Sequence, residues 1–284
     1  MAEPAVRIST LYTRTATELA HLVRSRVVTA EEVVVSHLAR IREVNSLYNA
    51  VVYVNERHAL QQARDLDDWM EINGTPKGVL HGVPVVVKDN IFTKDMPTTF
   101  GSILCKGLTT GKDATIVKRL RKAGAIILGK TNLSEFAAGA NTTNMLHGTT
   151  FNPYDTTKTC GGSSGGSAVA LAAGMAPLAL GNDLGGSLRI PASFCGVVGF
   201  RTSPGIVPDE SRFLGWDSYG MHGPMARTTE DVALLLSVIC GADPKCPISF
   251  DVDGESFVRA VQTAEESSST PHTVYYAKDL HGLM

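Results

Sequence analysis

No Cys-x-x-Cys pair and no His-Glu-x-x-His string occurs in the 284 residues, and the five cysteines (105, 160, 195, 240, 246) are odd in number and scattered. Neither a zinc site nor a disulfide framework is expected, and a reducing cytoplasm is the default compartment. The start, Met1-Ala2-Glu3-Pro4-Ala5-Val6-Arg7, lacks a basic segment leading into an apolar one, so no signal peptide is read. Long hydrophobic runs are missing too. The longest weakly polar stretch, 167–180, is too short for a bilayer and contains Gly174 and Pro177, so it reads as a buried helix followed by a strand. Charge of one sign is absent: 26 Lys and Arg against 28 Asp and Glu leave a formal −2. Neither nucleic acid nor a membrane is expected as a partner on that balance. Apolar residues are plentiful at 43%, enough for a large core in one big domain or two.

The pattern is α/β. Thr29-Ala30-Glu31-Glu32 has the form of a capping box, and Val33, Val34, His37, Leu38 and Ile41 follow at helical spacing. A strand over 50–54, a helix over 57–70 and an apolar strand Val85-Val86-Val87 ending at Lys88-Asp89-Asn90 come next. Residues 113–123 alternate Ile116, Val117 and Leu120 with Lys118, Arg119, Arg121 and Lys122, which predicts an amphipathic helix with a solvated basic face. A strand over 125–129 and a helix over 228–240, capped by Thr228 or Thr229, complete the series. Helices alternating with short apolar strands imply a sheet covered on both faces. No internal repeat is found, and the patch at 265–270 reads as a surface loop or linker.

Two glycine-serine loops carry the chemistry: Cys160-Gly161-Gly162-Ser163-Ser164-Gly165-Gly166-Ser167 and Asp183-Leu184-Gly185-Gly186-Ser187-Leu188-Arg189. Each places hydroxyls beside backbone that glycine lets twist freely, so successive N–H groups can converge on a developing oxyanion. With Lys88 upstream, this suggests a hydrolase with Ser187 as nucleophile. A serine needs a base. The eight histidines (21, 37, 58, 81, 147, 222, 272, 281) lie mostly in helices or turns, none at an evident strand end beside an acid, so a Ser-His-Asp triad finds little support. A buried lysine can serve if burial holds it neutral, and Lys88 follows three valines and a proline. The competing reading is a lysine that caps the strand and reaches for solvent.

Gly162-Ser163-Ser164-Gly165-Gly166 satisfies Gly-x-Ser-x-Gly, the nucleophile elbow of α/β-hydrolases, yet a polar turn-forming run (152–159) precedes it where a buried strand is required. No Gly-Lys-Ser/Thr follows the glycines, which argues against a phosphate-binding loop.

Over residues 15–243 the chain resembles the amidase signature family. The resemblance rests on Gly161 to Phe200, with Gly-Gly-Ser-Ser-Gly-Gly-Ser-Ala and Gly-Asn-Asp-Leu-Gly-Gly-Ser-Leu-Arg-Ile-Pro-Ala-Ser-Phe-Cys-Gly-Val-Val-Gly-Phe. It is supported by Gly82-Val83-Pro84-Val85-Val86-Val87-Lys88-Asp89-Asn90, Gly129-Lys130-Thr131-Asn132-Leu133-Ser134-Glu135-Phe136 and Gly223-Pro224-Met225-Ala226-Arg227-Thr228.

The resemblance implies one large αβα domain with a mixed central sheet, spanning 1–284, and an amidase that hydrolyses a small carboxylic amide without cofactor or metal. By position, Ser187 matches the nucleophile that forms the acyl-enzyme, Ser163 the bridging serine on a cis peptide after Gly162, and Lys88 the base. The amides of Leu184, Gly185, Gly186 and Ser187 would form the oxyanion hole, where one donor is worth about 3–4 kcal/mol. Ser164, Asp183 and Arg189 are expected to support the loops, Ser164 and Ser167 as loop or helix-cap hydrogen bonders, and Asp183 with Arg189 as braces. Cys195 reads as a small buried hydrophobe. A homodimer is compatible with the family.

Some positions depart from the family pattern. Cys160 stands where proline is common, and Arg201-Thr202-Ser203-Pro204-Gly205 replaces Lys-Pro-Thr-x-Gly. Length departs as well: the match fades after 243, and residues 273–280 resemble the strand that opens the family's second half, so that half is expected to be missing. On that expectation the sheet edge is exposed and catalysis weak, which gives a second reading, a truncated and inactive amidase-like protein. A third is the A-type component of a glutamine-dependent amidotransferase acting on aminoacyl-tRNA, although Trp216-Asp217-Ser218-Tyr219-Gly220-Met221-His222-Gly223-Pro224 looks more like a stand-alone amidase.

Overall fold

A computed structural model describes residues 7–211, 214–264 and 273. The patch at 265–270 and the strand expected over 273–280 lie outside the described residues, apart from Thr273. In chain order the elements are α1 (Ala16–Arg24), α2 (Ala30–Tyr48), β1 (Val51–Val54), α3 (Glu56–Asn73), β2 (Pro84–Lys88), α4 (Thr115–Lys122) and β3 (Ile126–Thr131). There follow a small hairpin of β4 (Thr143–Asn144) and β5 (Gly148–Thr149), then α5 (Gly165–Ala172), β6 (Leu178–Asp183), α6 (Arg189–Cys195), β7 (Val198–Gly199), β8 (Met221–Ala226), α7 (Thr229–Ile239) and α8 (Glu255–Gln262). Six strands form one mixed sheet in the order β1-β3-β2-β6-β8-β7. The pairs β3/β2 and β2/β6 are parallel, while β1/β3, β6/β8 and β7/β8 are antiparallel.

Strand alternation divides the core into two layers. Val86, Ile126, Leu128, Ala179 and Met225 pack with α2, α3 and α5 on one face, while Val85, Val87, Ile127, Leu178, Leu180 and Ala226 pack with α4 and α7 on the other. Both faces of the central strands are therefore apolar, as a sheet covered by helices on two sides requires. The same alternation puts Lys88, at the end of β2, on the Val86 face, which carries α5.

The capping box at Thr29 is present, with Thr29 Oγ1 accepting from Glu32 N and Glu32 returning to Thr29 N. Thr228 caps α7 in turn by accepting from Asp231 N. Two helix starts depend on acids remote in sequence. Asp67 accepts from Ala30 N and Glu31 N at the start of α2, and Asp231 accepts from Ala16 N and Thr17 N at the start of α1. The α4 basic face differs from expectation. Arg119 donates to the carbonyls of Ile239, Cys240, Gly241 and Ala242 at and beyond the end of α7, and Arg121 pairs with Asp95 and Asp113. These two arginines are structural ties that leave Lys118 and Lys122 to form the solvated face, because α7 and the loop after β2 supply acceptors no local pattern reveals.

The glycines that open α5 are there for close approach. A Cβ at Gly166 would stand 2.4 Å from Asn132 N, 2.5 Å from Asn132 O and 2.7 Å from Ala50 O, all main-chain atoms that cannot swing away. This contact sets α5 hard against the strand layer and fixes where the preceding serine loop lies. Gly185, by contrast, has nothing within 4 Å of an added Cβ. Gly166→Ala is expected to destabilise the fold by about 3 kcal/mol or more in urea unfolding, whereas Gly185→Ala is expected to leave stability nearly unchanged. Equal losses in the two variants would contradict this assignment.

Candidate active site

Lys88 is fully buried at the end of β2. Its Nζ lies 2.7 Å from Ser163 Oγ and 2.6 Å from Asn182 Oδ1. Burial pushes the Lys88 amine well below its ordinary range, and the Asp183 carboxylate opposes that push only in part. The Gly162–Ser163 peptide is cis, and Ser163 is itself fully buried. The next residue, Ser164, donates its N–H to Ser187 O at 3.2 Å, which ties the two glycine-serine loops together. Ser187 is half-buried and lines a cavity of about 370 Å³ with Asn90, Phe136, Asn182 and Leu184. The structure thus brings Lys88 to Ser163 by direct contact and joins the loops of Ser163 and Ser187 through backbone.

Asp183 organises the second loop. Its carboxylate accepts from Gly186 N at 2.8 Å, Leu188 N at 3.1 Å, and Arg189 Nε and Nη2 at 3.0 Å each. Arg201 Nε stands 3.6 Å away on a second side. Burial alone would raise the Asp183 carboxyl; the Arg189 guanidinium and the two amides outweigh it and hold the group at about 2. The engagement of Gly186 N corrects the four-amide oxyanion expectation, because that amide is already donating to Asp183. Among the described residues no group accepts from the amides of Leu184, Gly185 or Ser187.

Of the two expected parts, loop hydrogen bonder or helix cap, Ser164 takes the first. It sits at the N-cap of α5 without a side-chain cap bond, and its Oγ donates instead to Asn182 O at 3.3 Å. Ser167 lies inside α5, where its Oγ bonds Thr131 Oγ1 at 2.7 Å and Leu180 O at 3.1 Å, joining helix to sheet. Cys195 is buried, and burial pushes its thiol up to about 12 and that of Cys160 up to about 11, so both are inert hydrophobes.

Three features are not visible in the sequence. Asn182 stands inside the Gly181-Asn182-Asp183 string with nothing local to mark it, yet among the described residues it is one of the two hydrogen-bond partners of Lys88 Nζ. His222 stands on β8 opposite Asn182 with its Nε2 3.2 Å from Asp209, a histidine on a strand beside an acid after all. Its Nδ1 is buried without a hydrogen-bond partner among the described residues, so no serine among them completes a triad through it. Lys130, a second buried lysine on β3, is ringed by Ile91 O at 2.7 Å, Thr98 Oγ1 at 2.9 Å, Thr93 Oγ1 and Pro97 O at 3.2 Å each, and lies 3.7 Å from Asp89. That shell of acceptors suits an ammonium held in place. Lys88 has no such shell. Among the described residues no cluster of three or more His, Cys, Asp or Glu side chains could hold a metal, and no helix is long and apolar enough to cross a membrane.

The amidase family profile matches residues 32–282. The A component of the glutamyl-tRNA(Gln) amidotransferase of Corynebacterium glutamicum (strain R) is 45% identical over 233 residues, 82% of this chain and 47% of that protein. A bacterial aryl acylamidase of the amidase signature family superposes with a TM-score of 0.80 at 35% identity, covering 84% of this chain and 50% of its own. The 6-aminohexanoate cyclic dimer hydrolase gives a TM-score of 0.80 at 29% identity, over 96% of this chain and 61% of its own. The chain spans about half the length of the curated relatives it matches.

The Asp183 clamp has a pH signature. A carboxyl held at about 2 against an ordinary 3.8 contributes stability above pH 4 that is lost as pH falls toward 2, roughly 2 kcal/mol at about 1.36 kcal/mol per unit. Asp183→Asn is expected to be less stable than wild type at pH 6 and to lose less between pH 4 and pH 2. Urea titrations across that range check it, and parallel acid limbs in the two proteins would contradict it.

Proposed function

The chain belongs to the amidase family, and we propose that it hydrolyses a small carboxylic amide through an acyl-enzyme on Ser187. The observation that carries this reading is the fully buried Lys88 Nζ at 2.7 Å from Ser163 Oγ, where burial outweighs the through-space pull of Asp183 toward the charged form. Neutral Lys88 takes the proton of Ser163 as Ser163 takes that of Ser187. Ser187 Oγ then attacks the amide carbon facing the cavity. The amides of Leu184, Gly185 and Ser187 receive the developing oxyanion in a partly enclosed site, where such donors act strongly. Reversal of the relay protonates the leaving nitrogen, and water cleaves the ester by the same route. Each proton that leaves a serine arrives on the next group, so the cycle needs no cofactor. A small amide, neither nucleic acid nor membrane, is the partner this chemistry requires, and a reducing cytoplasm suits the buried free cysteines.

A second reading is favoured by the 45% identity to the A component of an amidotransferase. On that reading the same serines release ammonia from glutamine, and the activity depends on a partner protein. Hydrolysis of a simple aryl or alkyl amide by the isolated protein favours the first reading; glutaminase activity that appears only with added partner favours the second.

A fluorophosphonate probe is expected to label Ser187 in wild type and to leave Ser187→Ala unlabelled, as read by peptide mass spectrometry. Lys88→Ala is expected to lower labelling and amide turnover by about 10²–10⁴-fold. Labelling at Ser164, or a fall below tenfold in Lys88→Ala, would overturn the mechanism.

A further inference from the structure

We propose that Asn182 is a positioning residue that keeps Lys88 a neutral base, acting together with the two arginines that offset the charge of Asp183. The inference rests on the reading of Lys88 as the base and assigns the groups that make it one. A neutral amine has two N–H bonds and one lone pair. Lys88 Nζ has two hydrogen-bond partners among the described residues, Ser163 Oγ and Asn182 Oδ1. An amide oxygen can only accept, so it takes an N–H and leaves the lone pair turned toward the Ser163 hydroxyl. Asn182 sits on β6, directly before Asp183, where its side chain reaches the end of β2. A carboxylate there would favour the ammonium strongly; a single uncharged amide orients the amine and favours its protonation far less.

The charged groups around Lys88 follow the same logic on every side. Asp183, on β6, is the anion that acts on Lys88 through space, and Arg189 and Arg201 stand at 3.0 Å and 3.6 Å from its oxygens. Asp89, directly after β2, is turned to Lys130 of β3 at 3.7 Å and to Thr99. Asp209 faces His222 of β8 at 3.2 Å. Each of these acids thus has a cationic or titratable partner of its own. Arg201 also donates to Tyr219 O at 2.9 Å, so it is held from two sides while remaining at the edge of the cluster.

The test is the pH dependence of fluorophosphonate labelling at Ser187, with amide turnover measured alongside. In Asn182→Asp the midpoint of the rising limb is expected to move to higher pH by about 1–3 units, the effect of an opposite charge placed within reach of a titrating group. Arg201→Gln is expected to move it the same way by a smaller amount, and because that side chain is partly exposed it carries the test even if Asn182→Asp fails to fold. Asn182→Thr retains a neutral oxygen on a shorter arm and is expected to slow labelling without moving the midpoint. Midpoints in Asn182→Asp and Arg201→Gln that coincide with wild type, while Lys88→Met is unreactive, would overturn the role of Asn182 and leave the base reading intact. Wild-type labelling in Lys88→Met would overturn both.

Discussion

The site depends on a lysine ammonium that the fold declines to stabilise. Lys88 completes an apolar strand in the middle of a sheet covered on both faces, so its amine has left water with only Asp183, acting through space, to favour its charge. Taking a charge out of water costs several kcal/mol unless it is paired, and a titratable group answers by giving up its proton. Lys130, on the neighbouring strand of the same sheet, shows the alternative. It is as deeply buried, yet four oxygens and the nearby Asp89 surround it, and burial brings its amine down only to about 8. One sheet holds two buried lysines with unlike acceptor shells, and on the proposed reading they take opposite parts.

Holding Ser163 against that amine is a packing problem, and glycine solves it. The loop that carries Ser163 runs into α5, whose second residue lies with its Cα against the main chain of Asn132 and Ala50. No side chain larger than hydrogen fits that contact, and the close approach it allows lets Gly166 N donate to Asn132 O at 3.2 Å, which ties the helix to the strand layer. Farther along, Ser167 fastens the same helix to Thr131 and Leu180. The second loop is held by other means. Asp183 gathers two amides and a guanidinium into one turn, which presents Ser187 to the cavity. One loop is positioned by steric contact and the other by charge-assisted hydrogen bonds.

Much of this is legible in the residues. The unbroken Val85-Val86-Val87 run marks a strand buried on both faces, and the capping box at Thr29 marks the start of α2. The paired glycine-serine loops point to Ser163 and Ser187, and the run of valines before Lys88 to its burial. What stays hidden depends on contacts between remote parts of the chain. Arg119 and Arg121 read as a solvated face because their acceptors lie at the end of α7 and in the loop after β2. Gly186 reads as an oxyanion donor because nothing local shows that Asp183 folds back on it. His222 reads as lacking a neighbouring acid, since Asp209 is thirteen residues upstream and meets it only across the turn into β8. Asn182 carries no mark of its own, because only the folded register brings β6 beside the end of β2.

The central claim, that burial lowers the proton affinity of Lys88 and so makes it a base, is open to direct observation. Protein labelled with ¹³C at lysine Cε, with the Lys88 resonance assigned by its loss in Lys88→Met, can be titrated by NMR. The account predicts a Lys88 resonance whose midpoint lies well below the ordinary 10.5 of a lysine amine. A Lys88 resonance that stays that of an ammonium until pH 10.5 or above would contradict it.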